Sequence, residues 1–316
     1  MSIQSNTKTG QNVAQEVGTW CRFTTWCGTR LEFENWLGYI LLIPTLVIVL
    51  GFIGYPFLLS IYYSFTDKTV GGAAPFVGWQ NFVALAKDSI FRQTVVNTFN
   101  YTVTAVVVKI FLGLIMALVL NEVKHFRRVL RAAFLLPWVV PTSLSVLAWL
   151  WMFSPQYSVI TYIAQQLGLV DHAIQWYAKP KLAMAAVQTV NIWRGTPYFG
   201  MIILAGLTTV PIELYEAATV DGASYLQKFR FVTFPHITPV LIVSALYSFV
   251  RTLGDFQIVW ILTKGGPLNR THLIATLAFR TAIQGKALGK GAAIAVFLFP
   301  FLIVLIAMQL RYLREE

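Results

Sequence analysis

Four ionisable residues stand where charge is expensive: Lys109, Arg194, Arg251 and Asp255 each interrupt a long run of apolar residues. An ionised side chain at membrane depth is costly, which makes it a mark of a solute path, a relay or a counter-ion. Their formal sum is +2, so a water-filled path lined by them would favour an anionic or strongly hydrogen-bonding solute. Structural roles are equally open: Arg251 and Asp255 are spaced i and i+4 and can pair along one helix, and Lys109 can snorkel or meet a carboxylate on a partner. Trp193, Tyr247, Phe256 and Trp260 offer flat apolar faces suited to a sugar ring. Aromatic residues are 15% of the chain, so most of them pack or face lipid.

Catalytic chemistry is not legible. The four histidines are scattered, and no nucleophile elbow, paired-carboxylate motif or metal-ligand spacing is present. Gly285 to Gly291, GKALGKG, lacks the four-residue gap and the following Ser or Thr of a phosphate-binding loop and reads as a flexible segment. Cys21 and Cys27 have no further ligand at metal spacing and read as incidental thiols.

The elements that carry these residues are membrane spans. Of 316 residues, 57% are hydrophobic and 12% charged, far from the roughly 25% charge of a soluble domain. Several windows of 20 or more nearly uncharged residues match about 30 Å of hydrocarbon. Six spans are expected, at about residues 37–65, 96–120, 132–153, 182–210 (interrupted at Arg194-Gly195-Thr196-Pro197), 237–262 and 291–310. Residues 66–95 form a polar connection with an amphipathic helix from Trp79 to Phe91. The net charge of +11 is read as topology and headgroup attraction rather than nucleic-acid binding. Glu122 to Arg131 holds Lys124, Arg127, Arg128 and Arg131 and so faces the cytoplasm. Both termini then fall inside, with residues 1–36 a cytoplasmic tail lacking signal-peptide features and 37–316 the membrane domain. Lys264, Arg270, Arg280, Lys286 and Lys290 break the pattern, because they lie in an external loop.

One polar, proline-bounded stretch, residues 211–239, falls between two spans on the cytoplasmic side. Pro211 suits a helix start, Glu213 and Glu216 suit its positive end, and Gly222 supplies a stop. Leu214, Ala217, Ala218 and Asp221 share one face, and their small side chains permit close approach by a partner.

The motif Glu216-Ala217-Ala218, Asp221-Gly222-Ala223, Phe229, Thr233, Pro235 and Pro239 resembles the cytoplasmic EAA loop of permease subunits from binding-protein-dependent ABC importers, most closely the maltose and glycerol-phosphate branch. The likeness runs from about residue 38 to the end, through Tyr55-Pro56, Asn97-Thr98, Trp193 with Pro197, and Thr263 with Gly265-Gly266-Pro267. The family usually has Asp after the Phe of the fifth span; here Asp255 precedes Phe256, which leaves the role of Asp255 open. The resemblance implies an all-α polytopic fold with six transmembrane helices of the type I importer class, in the bacterial inner membrane. It also implies a heterodimer with a second permease, two ATPase subunits that hold ATP and Mg, an external solute-binding protein, and no cofactor on this chain. Glu216, Ala217, Ala218, Asp221, Gly222 and Ala223 would be the ATPase contact. Substrate would pass near Lys109, Trp193, Arg194, Tyr247, Arg251, Asp255 and Phe256 by alternating access. Such permeases commonly carry oligosaccharides. The positive bias favours an acidic one, such as a uronate oligomer of the alginate type, with a neutral disaccharide or glycerol phosphate as alternatives.

Two other classes are weighed against this reading. A secondary transporter would carry a repeated bundle and several intramembrane acids, whereas about six spans and one such acid, Asp255, are present. A membrane enzyme would need several convergent polar groups at one depth.

Overall fold

The computed structural model describes residues 34–123 and 125–315. Residues 1–33 of the expected 1–36 tail, with its two cysteines, and Lys124 lie outside the described residues. The chain divides into two compact units, Met1–Ser60 and Ile61–Glu316. The first contains α1 (Glu34–Val49) and a π turn over Leu50–Gly54 that leads into α2 (Tyr55–Ser64).

The second unit is helical throughout, without a strand among the described residues. Its elements are α3 (Gln80–Lys87), α4 (Ser89–Glu122), α5 (Arg127–Val139), α6 (Thr142–Met152), α7 (Val159–Gln166) and α8 (Pro180–Thr208). They continue as α9 (Ile212–Val220), α10 (Tyr225–Lys228), α11 (Phe234–Leu253), α12 (Gln257–Leu262), α13 (Ile274–Phe279), α14 (Leu288–Val296) and α15 (Phe299–Glu315). Among the described residues, four stretches are long and apolar enough to cross a membrane alone: Gly38–Ser64, Ser89–Glu122, Tyr225–Leu253 and Leu288–Arg314. Two bent pairs, α5 with α6 at 89° and α8 with α9 at 70°, give up to six when each pair is counted as one span.

Several expected boundaries move, each for a local reason. The helix expected from Trp79 to Phe91 splits at Asp88, whose side chain accepts from Ile90 N at 2.7 Å and caps the start of α4. The third span is not straight: Val140 precedes Pro141 and is forced into an extended conformation with ψ 134°, so the chain turns there. Pro137, by contrast, is absorbed within α5. The expected interruption at Arg194 to Pro197 is absent, because Pro197 is buried within a continuous 29-residue α8. The fifth span ends early, at Leu253, and Gly254 and Asp255 separate it from α12.

Helices α4 and α8 form the central pair, and glycines set their separation. A β-carbon on Gly113 would lie 2.5 Å from Phe199 Cβ, one on Gly195 would lie 2.3 Å from Lys109 Cδ, and one on Gly200 would lie 2.0 Å from Met116 Cε. Such close approach lets dispersion contacts hold helices together where lipid supplies no hydrophobic drive. Met116, Leu120, Phe199, Ile203 and Ile237 fill the cluster at one part of this interface; Tyr101, Val187, Val190 and Val259 belong to another.

The segment from Gly285 to Gly291 is not the flexible loop that its sequence suggests. Gly289 and Gly291 are buried, and a β-carbon on Gly289 would lie 2.0 Å from Thr66 O. These glycines permit close packing rather than motion.

Candidate functional site

A cavity of about 530 Å³ opens among α4, α5, α8, α11 and the break before α12. Six of the seven pathway residues expected from sequence line it: Lys109, Arg194, Tyr247, Arg251, Asp255 and Phe256. Trp193 does not; its ring packs edge-on against Trp149 at 5.4 Å. Trp138, Asn191, Tyr198 and Thr252 also line the cavity and were not identified from sequence. Neutral polar and aromatic residues inside a span carry no signal of their own until the helices are brought together.

The charges are not equivalent. Lys109 is 3% exposed and donates to Asn191 Oδ1 at 2.9 Å and to Thr252 Oγ1 at 3.0 Å. Asn191 turns its other end to Asp255, donating from Nδ2 to Oδ2 at 3.0 Å. Asp255 Oδ2 also accepts from the fully buried Tyr101 hydroxyl at 2.6 Å. Asn191 therefore joins a buried ammonium to a carboxylate, and both ions have hydrogen-bonding partners inside the protein.

This arrangement replaces both structural readings made from sequence. Arg251 and Asp255 do not pair along a helix, because the helix ends between them at Leu253. Lys109 neither snorkels nor needs a partner chain, because its ligands are Asn191 and Thr252. Arg251 is exposed to the cavity. Arg194 Nη2 donates to Val140 O at 3.1 Å, while its buried Nε has no hydrogen-bond partner. With Lys109 and Asp255 joined through Asn191, Arg194 and Arg251 are the other cations lining the cavity, beside the rings of Tyr198 and Tyr247, whose centroids lie 5.4 Å apart.

At the far end of α8 the chain turns through Thr209 and Pro211 into α9, the helix of the Glu-Ala-Ala motif. Pro211 precedes the helix as its N-cap rather than standing inside it, and Glu213 lies in the first turn. The stop is a Schellman ending: Gly222 N donates to Thr219 O at 3.0 Å, Ala223 N donates to Ala218 O at 2.9 Å, and Gly222 adopts φ +75°. No residue of α9 is buried. Ile212 and Val220 are 67% and 89% exposed, and Glu216, Ala217 and Asp221 are exposed with them, while Ala218 and Ala223 are half-buried. Tyr215 reaches back, its hydroxyl 2.9 Å from Thr233 Oγ1, and Thr219 Oγ1 accepts from Lys228 Nζ at 2.8 Å.

Residues 109–314 match the model of the binding-protein-dependent transport system inner membrane component family. The chain belongs to this family. It is 35% identical over 288 residues to the trehalose/maltose transport system permease protein MalF of Thermococcus litoralis, covering 90% of this chain and 96% of that one. It is 33% identical over 299 residues to the sulfoquinovosyl glycerol transport system permease protein SmoG of Agrobacterium fabrum, covering 93% and 95%. Among solved structures, a bacterial ABC transporter involved in the import of the acidic polysaccharide alginate superposes with a TM-score of 0.76 at 22% identity, covering 91% of this chain and 96% of that chain. The fold is therefore the type I importer permease fold, and the protein is an inner-membrane permease subunit. In such systems the ATP-hydrolysing subunit is a separate chain, and the relatives are named for the permease role.

Proposed function

We propose that the chain is one of two permease subunits of an ATP-driven sugar importer, through which an oligosaccharide delivered by an external binding protein reaches the cytoplasm by alternating access. The carrying observation is the exposed, sharply capped α9 placed directly after the cavity-lining α8. A short helix with exposed apolar residues and small side chains is suited to seat in a groove of another subunit. Glu216, Ala217, Ala218, Asp221, Gly222 and Ala223 form this coupling contact, with ATP and Mg held by the ATPase. In this reading residues 1–36 and the C-terminus lie in the cytoplasm, and residues 37–316 form the membrane domain, with its coupling loop at 211–239. Co-purification with the ATPase subunits tests it: a complex that forms equally well when Glu216 and Gly222 are both replaced would overturn the coupling assignment.

Within this role we assign an acidic saccharide as substrate. The relatives' names span a trehalose/maltose system, a sulfoquinovosyl glycerol system and an alginate importer, so the cavity's own charges carry the choice. Arg194 and Arg251 remain available after Lys109 and Asp255 are joined through Asn191. An arginine offers a fork of donors that matches a carboxylate. Replacing Arg251 with Gln should reduce solute-stimulated ATP hydrolysis with a uronate oligomer far more than with a neutral maltooligosaccharide. Equal reduction for both removes the acidic assignment and leaves the importer reading standing.

A further inference from the structure

The region from α12 into the first turn of α14 carries Lys264, Arg270, Arg280, Lys286 and Lys290, all exposed, and no Asp or Glu occurs from Phe256 to Arg314. Under the orientation proposed above, this is the outer side, where cationic residues run against the usual bias of membrane proteins. Topology thus gives no reason for them.

The surface is built rather than loose. Asn97 of α4 donates from Nδ2 to the carbonyls of Arg270 at 2.8 Å and His272 at 3.3 Å, and Thr98 Oγ1 accepts from Ile274 N at 3.0 Å. Thr271 Oγ1 lies 2.8 Å from Thr263 Oγ1 and donates to Gly266 O at 2.6 Å. The other end is tied to the segment after α2: Val70 N donates to Lys286 O at 3.0 Å and Gly289 N to Lys68 O at 2.9 Å. Leu268, 83% exposed, and Ile283, 54% exposed, stand out on the same segment. A fixed loop that presents apolar side chains among like charges loses little entropy when a partner covers it.

We propose that this basic surface is the docking site for an acidic face of the extracytoplasmic solute-binding protein. The inference rests on the importer reading, and the family's binding-protein dependence supplies the partner class. Positive potential on the permease steers an acidic lobe into register, and Leu268 and Ile283 enter its apolar centre. Arg270 and Arg280 are partly engaged within the loop, donating to Gln93 Oε1 at 2.8 Å and to Asn269 Oδ1 respectively. The exposed lysines are therefore the groups to test without disturbing the loop.

The complete transporter is assembled in phosphatidylcholine nanodiscs with its cognate solute-binding protein. ATP hydrolysis is titrated against binding-protein concentration at about 25 and about 250 mM NaCl, a span across which the screening length falls severalfold. The wild-type half-saturating concentration should rise with salt. The variant Lys264→Gln/Lys286→Gln/Lys290→Gln should require about tenfold more binding protein at low salt and show a flatter salt response, with unchanged basal hydrolysis reporting an intact complex. An unchanged half-saturating concentration overturns the proposal. So does a salt response that appears only with an acidic solute, which assigns the charges to substrate, or only when phosphatidylglycerol is added, which assigns them to lipid. No stimulation of the wild-type complex by the binding protein overturns both this inference and the importer reading.

Discussion

The join between Lys109 and Asp255 makes a quantitative prediction. Asp255→Leu leaves the Tyr101 hydroxyl and the Asn191 amide without their acceptor, at about 1–3 kcal/mol for each unsatisfied group, and leaves the Lys109 ammonium without its counter-charge. For the two stranded groups together that is about 2–6 kcal/mol, the charges being bridged through Asn191 rather than in direct contact. Lys109→Met strands the Asn191 and Thr252 oxygens that accept from Nζ, and about 2–6 kcal/mol follows from the same reasoning. The double variant carries no unpaired charge, so it should cost less than the sum of the singles by about 2 kcal/mol or more, as expected for residues in one network. Reversible unfolding of the purified chain in mixed micelles of rising dodecyl sulfate fraction, followed by tryptophan fluorescence, measures all four corners of the cycle. Additivity within about 0.5 kcal/mol would show that Asn191 does not couple the two charges, and would return Lys109 to the set of groups free to meet substrate.

Three further outcomes are expected. In Gly222→Leu the new β-carbon meets nothing within 4 Å, but the φ of +75° must be strained or abandoned at about 1–2 kcal/mol; the transporter should assemble and hydrolyse ATP while solute uptake in proteoliposomes falls, and wild-type uptake would contradict this. Gly113→Ala places its β-carbon 2.5 Å from Phe199 Cβ and 3.0 Å from Gly200 N. Forcing α4 and α8 apart should cost about 1–3 kcal/mol, seen as a lower unfolding midpoint, whereas Gly51→Ala, where nothing lies within 4 Å, should show little change. His272, in the loop after α12, is held neutral: burial first, and then the adjacent Arg280 guanidinium, push its pKa down to about 4. Since the unfolded value near 6.5 is higher, protonation favours the opened loop, so stability is full above about pH 6.5 and declines as pH falls toward 4. The loss should be on the order of 1–2 kcal/mol after allowing for screening, read as faster amide exchange in residues 263–276 at pH 5 than at pH 7 and removed in His272→Gln.

What was legible in the sequence and what was not divides along a physical line. Charges in apolar runs announce themselves, so Lys109, Arg194, Arg251 and Asp255 could be named before the helices were assembled, and all four line one cavity. Their roles could not be named, because role depends on partners more than 60 residues away: Asn191 is 82 residues from Lys109 and 64 from Asp255, and Tyr101 is 154 from Asp255. The i, i+4 spacing of Arg251 and Asp255 misled because it presumes a helix that Gly254 ends. Prolines were equally ambiguous one at a time. Pro141 turns the chain through its effect on Val140, while Pro137 and Pro197 sit inside helices, and only the packing around each decides whether a freed carbonyl can be tolerated. Gly222 was readable because its demand is local: a helix end requires a residue that accepts positive φ.

The same helix supplies a physical link between the two sites. α8 is a continuous rod of 29 residues that carries Asn191 and Arg194 into the cavity and ends at Thr208, a few residues before α9 begins at Ile212. Its face toward α4 is interlocked through Gly113, Gly195 and Gly200, where sub-van-der-Waals approach of any added carbon leaves no room for sliding by less than a side chain. A displacement imposed on α9 should therefore move α8 and α4 as a pair, since packed interfaces shift between discrete arrangements rather than deforming continuously. Lys109 lies on α4, Asn191 on α8, and Thr252 and Asp255 on either side of the break after α11. A paired movement of α4 and α8 would keep the Lys109–Asn191 bond and would strain the bonds to Thr252 and Asp255. In this mechanism the break at Gly254 is where the cavity changes shape, and Arg251, one turn before it, is the cation whose position changes most relative to Arg194. A cross-link between cysteines substituted at Arg251 and Arg194 should form in one nucleotide state of the transporter and not in the other; equal cross-linking in both states would mean that the two helices do not part at Gly254.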